Sequence, residues 1–274
     1  MNHKEQIGFL TIACNTEQVD YLNLAYVQAI NVKRTQKNNK FAVIVDNTTN
    51  SKLEEKHYKT FDYIIKAPEH NFGPYGAEAF LFDLTPFKET IKLESDLLFT
   101  RSIDHWINAF RLKDIVLSTG CKNYMQTDSK VRKYRKLFDD NNLPDVYNGL
   151  MYFRFTKQAK DFFDKTKLIF YNWVKVCSVL KNCNEPVAST DIVFALAARL
   201  IGEELCTLPG LDFINFVHMK SAINGFNDNF SFDEVFVTEF DQGMIRINNI
   251  NQYHPLHYYN KAFINSEIIE YHEQ

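Results

Sequence analysis

Several features that would assign the chain to a common protein class are missing from its sequence. The first ten residues, MNHKEQIGFL, lack the long apolar run of a secretory signal peptide. No run of about 18 apolar residues occurs, so the sequence predicts no membrane-spanning helix. The five cysteines are widely spaced and form no CxxC pair, which argues against a zinc site and favours a reducing, cytoplasmic compartment.

The chain also lacks an excess of positive charge. Its formal net charge is −3 over 274 residues, with 31 Lys and Arg against 34 Asp and Glu. A field of this sign does not attract nucleic acid to the whole protein, although a local basic patch can still do so. Hydrophobic residues make up 45% of the chain, which excludes a wholly disordered protein and supplies a core.

Short apolar runs alternate with helical patterns over the first half of the chain, and both types of segment recur later. The alternation predicts an α/β fold with a mostly parallel sheet flanked by helices. We expect strands at 7–14, 41–45, 63–66, 91–93, 115–118 and 146–155, and helices at 20–36, 53–60, 77–84, 104–110, 157–180 and 186–201. The length fits one elaborated domain, which we divide into a catalytic part over 1–225 and a C-terminal extension over 226–274 packed on it.

Two acids stand two positions apart in an otherwise apolar segment. In a strand Glu94 and Asp96 would point to the same face, at the strand end where open α/β sheets bind ligands. Two carboxylates there repel each other unless a cation joins them, and oxygen ligands suit Mg²⁺ or Mn²⁺, which can bridge to a diphosphate. The simpler alternative is an ordinary strand end with two solvated acids, because Glu-x-Asp alone is a weak signal.

Four motifs, in this order, resemble the GT-A fold glycosyltransferases of the glycogenin and lipopolysaccharide-galactosyltransferase type. They are Glu94-Ser95-Asp96 after Pro86-Phe87, the segment from Tyr147 to Phe153, Ser189-Thr190-Asp191 before an apolar helix, and 216–220 around His218. The sequence departs from the family pattern in having Glu as the first acid, no cation in the helix over 77–83, and no Lys-Pro-Trp after the histidine motif.

The resemblance implies a GT-A-type fold, a nucleotide-sugar donor that we expect to be a UDP-sugar, and transfer with retention of anomeric configuration. It also implies that Glu94, Asp96 and His218 hold Mn²⁺ or Mg²⁺. Neutral imidazole suits Mn²⁺ as a third ligand. A lone histidine in an apolar stretch is, by itself, more often a buried or surface residue with no ligand role.

Asp191, Asn148 and Gly149 are the expected catalytic residues. In the enzymes that the sequence resembles, an aspartate at the position of Asp191 contacts sugar near the anomeric carbon. The alternative for Asp191 is a helix N-cap, because it stands at the start of a predicted helix. Asn148-Gly149 could form a simple turn or bulge, or could let a substrate approach the backbone closely.

Donor contacts are expected from six residues near strand ends or near the metal motifs: Asn15, Thr16, Tyr21, Asp46, Ser95 and Lys220. The carboxyl ends of strands are where a nucleotide base and ribose lie in open α/β sheets. Tyr21 could stack on the base or belong to the core. Lys220 could neutralise donor phosphate or be a solvated lysine.

A basic run in the middle of the chain is the candidate acceptor surface. It contains Lys130, Arg132, Lys133, Tyr134, Arg135 and Lys136. Cations bind phosphates and aromatic rings stack on bases, although most charge runs are solvated helices. With 141–147, the run resembles phage-encoded glycosyltransferases that modify hydroxylated pyrimidines in DNA. This resemblance implies a DNA acceptor, with a saccharide chain as the alternative.

Two further questions stay open at the level of sequence. The cluster His254, Pro255, His257, Tyr258 and Tyr259 could line an acceptor pocket or pack against the protein, and packing is favoured. A metal-dependent nucleotidyltransferase also uses carboxylates at a sheet edge, and would release pyrophosphate instead of a nucleoside diphosphate. A non-catalytic module that binds nucleotide sugars is the second alternative.

Overall fold

The computed structural model describes residues 5–70, 72–133, 135–208, 214–226 and 232–274, so that Tyr134 of the basic run lies outside the described residues. In chain order, the strands of these ranges are β1 (Glu5–Ala13), β2 (Phe41–Val45), β3 (Tyr63–Lys66), β4 (Phe87–Leu93), β5 (Leu97–Leu98), β6 (Ile115–Ser118), β7 (Cys121–Lys122), β8 (Asp128–Ser129), β9 (Tyr147–Arg154), β10 (Val217–His218), β11 (Thr238–Asp241), β12 (Met244–Ile247), β13 (Ile250–Asn251) and β14 (Leu256–His257).

The helices of the same ranges are α1 (Tyr21–Thr35), α2 (Asn47–Asn50), α3 (Glu55–Thr60), α4 (Leu81–Leu84), α5 (Ile107–Phe110), α6 (Lys136–Asp140), α7 (Lys157–Tyr171), α8 (Trp173–Val179), α9 (Thr190–Ile201), α10 (Glu203–Cys206), α11 (Ser221–Asn224), α12 (Phe232–Val235) and α13 (Ser266–Glu273). Short 3-10 helices occur at Gly76–Phe80, Asp104–Trp106, Val131–Lys133 and Lys261–Phe263. Each described helix is too short or too polar to cross a membrane.

The main sheet has the strand order β3-β2-β1-β4-β9-β6. Strands β1 to β4 are mutually parallel where they pair, and β9 runs antiparallel to both of its neighbours, β4 and β6. All five residues of β2 are buried, as expected for a strand with both faces covered. The predicted α/β fold, with a mostly parallel sheet flanked by helices, is confirmed.

One edge of this sheet collects the residues that follow the parallel strands. Asn15 follows β1, Asp46 follows β2 and Glu94 follows β4. Because β9 is antiparallel to β4, its first residues reach the same edge, and the Glu94 N–H donates to the carbonyl of Gly149 at 3.0 Å. The strand order therefore brings residues that are far apart in sequence to one place, where ligands bind in open α/β sheets.

A second sheet, in the order β5-β14-β10-β7-β8, adjoins this edge. Its parallel pair β10 and β14 sets His218 beside His257. Strand β5 pairs antiparallel with β14, so that Leu97, which directly follows Asp96, faces His257. This sheet therefore carries a histidine from near the C-terminus to the acids that follow β4.

The C-terminal part of the chain packs on α1. Strands β11, β12 and β13 form a small antiparallel sheet, and α13 follows. The Tyr26 hydroxyl donates to Glu273 at 2.6 Å, and Asn31 lies 3.3 Å from the ring nitrogen Nε2 of His272. These contacts attach α13 to α1, although the paired residues are more than 200 positions apart in the sequence.

The opposite end of β4 is held by a buried carboxylate. Glu89, only 6% exposed, accepts hydrogen bonds from Gln6 of β1 at 2.8 Å and from the Tyr152 hydroxyl of β9 at 2.8 Å. Arg111 donates two further bonds at 2.8 and 3.2 Å. Burial alone would raise the pKa of Glu89, but the bonds from Arg111, Gln6 and Tyr152 outweigh burial and hold it below its ordinary value.

We expect Glu89→Gln to lower the free energy of unfolding at pH 7 by about 2 kcal/mol, because it weakens a set of bonds to a buried charge. A native pKa below the unfolded value stabilises the fold above the unfolded pKa of about 4.3, and this stability disappears as the pH falls through the native pKa. Urea unfolding at several pH values should therefore show the difference from wild type shrinking below about pH 4.

The matched control is Glu239→Gln, since Glu239 pairs with Arg246 on an exposed strand. An exposed pair of this kind contributes at most about 1 kcal/mol. A loss in Glu89→Gln no greater than in the control, or one that does not depend on pH, would contradict the stabilising role of Glu89.

Candidate active site

Glu94, Asp96 and His257 form a group that could hold a metal ion. One ligand atom of each lies within 4.8 Å of the others. The His257 nitrogen Nε2 lies 2.9 Å from Asp96 Oδ2 and 3.4 Å from Glu94 Oε2. The side chain of Asp96 is 8% exposed and that of Glu94 is 32% exposed. Two carboxylates and an imidazole are suitable ligands for Mn²⁺, and carboxylates also for Mg²⁺, so the residues present fit the expected cofactor.

Cationic side chains compensate the two acids. Lys261, from the 3-10 helix after β14, forms an ion pair with Asp96. Burial would raise the pKa of Asp96, but His257 and Lys261 outweigh burial and hold it well below its ordinary value. Burial raises the pKa of Glu94, and His257 and Lys92 oppose this shift only in part. The pKa values of the two acids are therefore shifted in opposite directions, and Asp96 keeps its negative charge to a lower pH than Glu94 does.

His218, the third ligand predicted from sequence, is not in the three-residue group. Its ring stacks on that of His257, with centroids 4.3 Å apart and planes 15° from parallel. Burial, then the nearby His257, lowers the pKa of His218 well below its ordinary value, so its imidazole is neutral near pH 7. The Nδ1 atoms of both rings are buried and have no hydrogen-bond partner among the described residues.

His257 is the site residue that the sequence did not identify. Its cluster was expected to pack against the protein or to line an acceptor pocket. It reaches Asp96 through the pairing of β14 with β5 and β10. No local sequence pattern predicts that pairing, because β5 and β14 are each two residues long and lie far apart in sequence.

Three of the predicted donor residues shape the turns at the sheet edge. The Asn15 side chain accepts from the N–H of Leu22 at 2.8 Å, and its backbone N–H donates to Thr49 at 2.7 Å. The Thr16 hydroxyl accepts from the N–H of Val19 at 3.0 Å. Asp46 caps α2. These side chains therefore hold the strand ends in place, and each has a structural reason for its position.

The other predicted donor residues lie around the acids. Burial and the charge of Asp96 raise the pKa of the half-buried Tyr21, so its hydroxyl stays protonated. Ser95, between the acids, is buried. Lys220 precedes α11, and its charge contributes to the lowered pKa of His218.

A buried lysine fixes the start of β9. Lys92 is 1% exposed, and its ammonium group lies 2.8 Å from Glu78 and donates to the Asn148 side chain at 2.8 Å. Asn148 in turn donates to Glu78 at 2.9 Å. The helix over 77–83 contains no cation, and the structure supplies one from the neighbouring strand. Asn148 is therefore held in a single orientation.

Asp191 is connected to the same network. Its Oδ1 atom accepts from the backbone N–H of Asn148 at 2.9 Å. Arg135 lies 3.4 Å from Oδ2, donates to Ser189 at 3.0 Å and forms an ion pair with Glu185. Ser189 is the residue before α9, so Asp191 stands inside the first turn and does not cap the helix.

The basic run is largely engaged within the protein. Arg135 binds the acids described above, and Arg132 donates to Asp139 at 3.0 Å and to the Leu143 carbonyl at 2.6 Å. Lys130 and Lys136 are exposed. The side chain of Lys133, like Tyr134, lies outside the described residues.

Close packing against Phe216 leaves no room for a side chain at Gly149. A Cβ atom at this position would lie 2.8 Å from the ring of Phe216. That distance is shorter than real Cβ contacts allow, and the ring belongs to the strand segment that leads to His218. Glycine therefore lets the start of β9 lie directly against the second sheet.

Comparisons with known proteins bear on the fold. No family model and no curated protein matches the chain. Among solved structures, the chain is similar to mouse xyloside xylosyltransferase 1, with a TM-score of 0.50 and 11% identity over 79% of this chain and 88% of that one. This likeness confirms the predicted GT-A-type fold.

Two other solved structures are similar at lower TM-scores. The glycosyltransferase GlyE of Streptococcus pneumoniae has a TM-score of 0.46 and 11% identity over 75% of this chain, which spans only 46% of that protein. The 4-diphosphocytidyl-2C-methyl-D-erythritol synthase of Anaerococcus prevotii has a TM-score of 0.40 and 11% identity, over 74% of this chain and 86% of that one.

We expect His257→Gln to weaken Mn²⁺ binding by about tenfold or more, because it removes one of three clustered ligand groups. His218→Gln should weaken it less, since that ring stacks on His257. Burial lowers the pKa of His257, but Asp96 and Glu94 outweigh burial and raise it overall. Metal requires the neutral imidazole, so wild-type affinity should fall as the pH decreases through this raised pKa.

Calorimetric titration of Mn²⁺ at pH 6, 7 and 8 measures both effects. A loss in His218→Gln as large as that in His257→Gln would return His218 to the ligand set. Equal affinity in wild type and His257→Gln would remove His257 from it.

Proposed function

We propose that the protein is a metal-dependent glycosyltransferase that transfers a sugar from a nucleotide-sugar donor, in the first instance a UDP-sugar, to a hydroxyl acceptor. The observation that carries this proposal is the cluster of Glu94, Asp96 and His257 at the carboxyl edge of a GT-A-type sheet. Residues 1–225 and 226–274 act in it as one unit, because His257 comes from the second range.

The donor diphosphate binds at the acid cluster in this proposal. Mn²⁺ or Mg²⁺ there would stabilise the negative charge that develops on the departing diphosphate. Lys261 and Lys220 add positive charge on the same side of the site. The nucleotide extends over the strand ends at Asn15 and Asp46, with Tyr21 beside the base. Only contacts that strengthen in the transition state accelerate transfer, so the fixed cations matter more than donor affinity alone.

The reacting sugar lies beside Asp191 and Asn148 in this proposal, and transfer retains the anomeric configuration. The hydrogen bonds that fix these two residues support this position of the sugar, whereas retention rests on the sequence resemblance alone. Lys92 and Glu78 hold the Asn148 side chain, and the Asn148 backbone holds one oxygen of Asp191. Groups that are oriented before the substrate arrives need little reorganisation during the reaction, and such preorganisation lowers the barrier.

We expect Asp96→Asn to reduce turnover about a hundredfold or more while leaving the fold intact, because it removes a major source of electrostatic stabilisation. The assay offers a panel of nucleotide sugars with Mn²⁺, without and with acceptor, and identifies the nucleotide product. Asp164→Asn is the control, since Asp164 pairs with Lys160 on the exposed face of α7.

The product separates the proposed function from its rivals. A nucleoside diphosphate released from a nucleotide sugar supports glycosyl transfer. Pyrophosphate released in a second assay, which offers a nucleoside triphosphate and a sugar phosphate, supports a nucleotidyltransferase. Donor binding without any product would identify a binding module. Full turnover of wild type in EDTA would contradict the metal-dependent mechanism.

For the acceptor, we propose first a hydroxylated pyrimidine in DNA and second a saccharide hydroxyl. The DNA proposal rests on the resemblance of the basic run. A base in a duplex would have to leave the stack to reach the site. Arg132 and Arg135 already form ion pairs with acidic residues of the protein itself. In this proposal the exposed Lys130 and Lys136 therefore contact the phosphates.

We expect the double variant Lys130→Glu, Lys136→Glu to lower transfer to hydroxymethylated DNA about tenfold or more at low salt, because each reversal places an acid near the phosphates. Slow hydrolysis of the donor should be unchanged, since neither lysine is among the residues that pair with Glu94, Asp96 or His257. The matched control is the double variant Lys52→Glu, Lys175→Glu, which reverses the charge of two exposed lysines in other segments. No labelling of hydroxymethylated DNA by wild type with any donor would leave the saccharide acceptor.

A further inference from the structure

A cavity of about 330 Å³ lies between the main body and the C-terminal part of the chain. Its walls include Arg34 and Arg101 from the main body, and Tyr253, Tyr271 and His272 from the C-terminal part. Small-molecule sites usually enclose about 300–1,000 Å³, so the cavity can hold a small ligand. It is separate from the acid cluster, since Arg34 lies about 20 Å further along α1 than Tyr21 at 1.5 Å per residue.

The cavity is positively charged. Its described lining contains two arginines and no acidic residue. Neither Arg34 nor Arg101 forms an ion pair with a described residue, in contrast to five other arginines that do: Arg111, Arg132, Arg135, Arg154 and Arg246. Two guanidinium groups that face one cavity without a carboxylate leave that cavity with an uncompensated double charge.

Aromatic rings orient both guanidinium groups. The Cζ atom of Arg34 lies 4.0 Å from the centroid of the Tyr271 ring, and that of Arg101 lies 6.0 Å from the centroid of Tyr253. A guanidinium that lies over a ring keeps the N–H groups at its rim available to a ligand. Tyr253 itself is 49% exposed, so part of its ring can contact a bound molecule.

His272 adds a neutral polar group to the wall. Burial, then the charge of Arg34, lowers the pKa of His272 to about 4, so its imidazole is neutral at pH 7. Its Nδ1 atom is buried and has no hydrogen-bond partner in the described part of the chain. A buried polar atom without a partner costs free energy, and a ligand that supplies the missing bond removes that cost.

We propose that this cavity is a second binding site, for a phosphate monoester, with Arg34 and Arg101 on the phosphate and Tyr253 beside the rest of the ligand. Guanidinium groups bind phosphate through paired N–H···O bonds, which suits two arginines that converge on one space. Nucleoside monophosphates and sugar phosphates share this chemistry. The proposal is independent of the reaction at the acid cluster.

The first test measures binding of UMP and of glucose 1-phosphate to the full chain by calorimetry, with EDTA present to prevent metal-dependent binding at the acid cluster. We expect the double variant Arg34→Gln, Arg101→Gln to bind both at least about tenfold more weakly than wild type. Arg246→Gln removes a paired arginine from the neighbouring strand β12 and should bind them as wild type does. Asp96→Asn should also leave this binding unchanged.

Tyr253→Ala distinguishes the two sources of phosphate. A nucleotide ligand loses ring contact in this variant, so UMP affinity should fall more than glucose 1-phosphate affinity. Equal losses identify a sugar phosphate. Wild-type affinity in the double arginine variant, or equally tight binding of uridine and glucose without phosphate, would overturn the proposal. Because both arginines are exposed, circular dichroism should show a native fold in the double arginine variant.

Discussion

Glu94 and Asp96 place two like charges at a sheet edge where the first acid is partly exposed and the second is buried. Oxygens within 4.8 Å of each other repel by about 3 kcal/mol or more at an effective dielectric constant of about 20. The second sheet offsets this repulsion, because β14 places His257 between the acids, and Lys261, four residues later, pairs with Asp96. The arrangement of the C-terminal residues is thus inseparable from the charge at the end of β4.

A second network of ion pairs and hydrogen bonds stabilises the region around the start of β9, next to the acids. Lys92 from β4 binds Glu78 and Asn148, the backbone of Asn148 binds Asp191, and Asp191 binds Arg135. Five separate segments of the chain supply these groups. Because each charge in this network has an opposite charge or a hydrogen bond beside it, polar residues can remain fixed in a region that ranges from buried to partly exposed. The region next to the acids is therefore rigid before any substrate binds.

The sequence predicted the fold better than the site. Apolar runs located β2, β3 and β6 to the residue, because every residue of β2 and all but the last residue of β3 and of β6 are hydrophobic. Strand β4 begins at Phe87, four residues before the expected start. Glu89 lies in the missed part, where its ion pair with Arg111 lets a charged residue be buried, and the sequence alone does not reveal that pair. Glu94 and Asp96 followed from local spacing. His257 did not, since it depends on pairing between distant strands.

Lys261 gives the acid cluster a resident cation. A divalent ion that binds Asp96 through Oδ2 must displace this ammonium group, because two cations cannot share one carboxylate oxygen closely. Binding is then an ion exchange, and its net free energy is the difference between two attractions. Metals should consequently bind more weakly than to a bare pair of acids. In return, the chain can fold, and can lose its ion, without ever leaving two uncompensated carboxylates side by side.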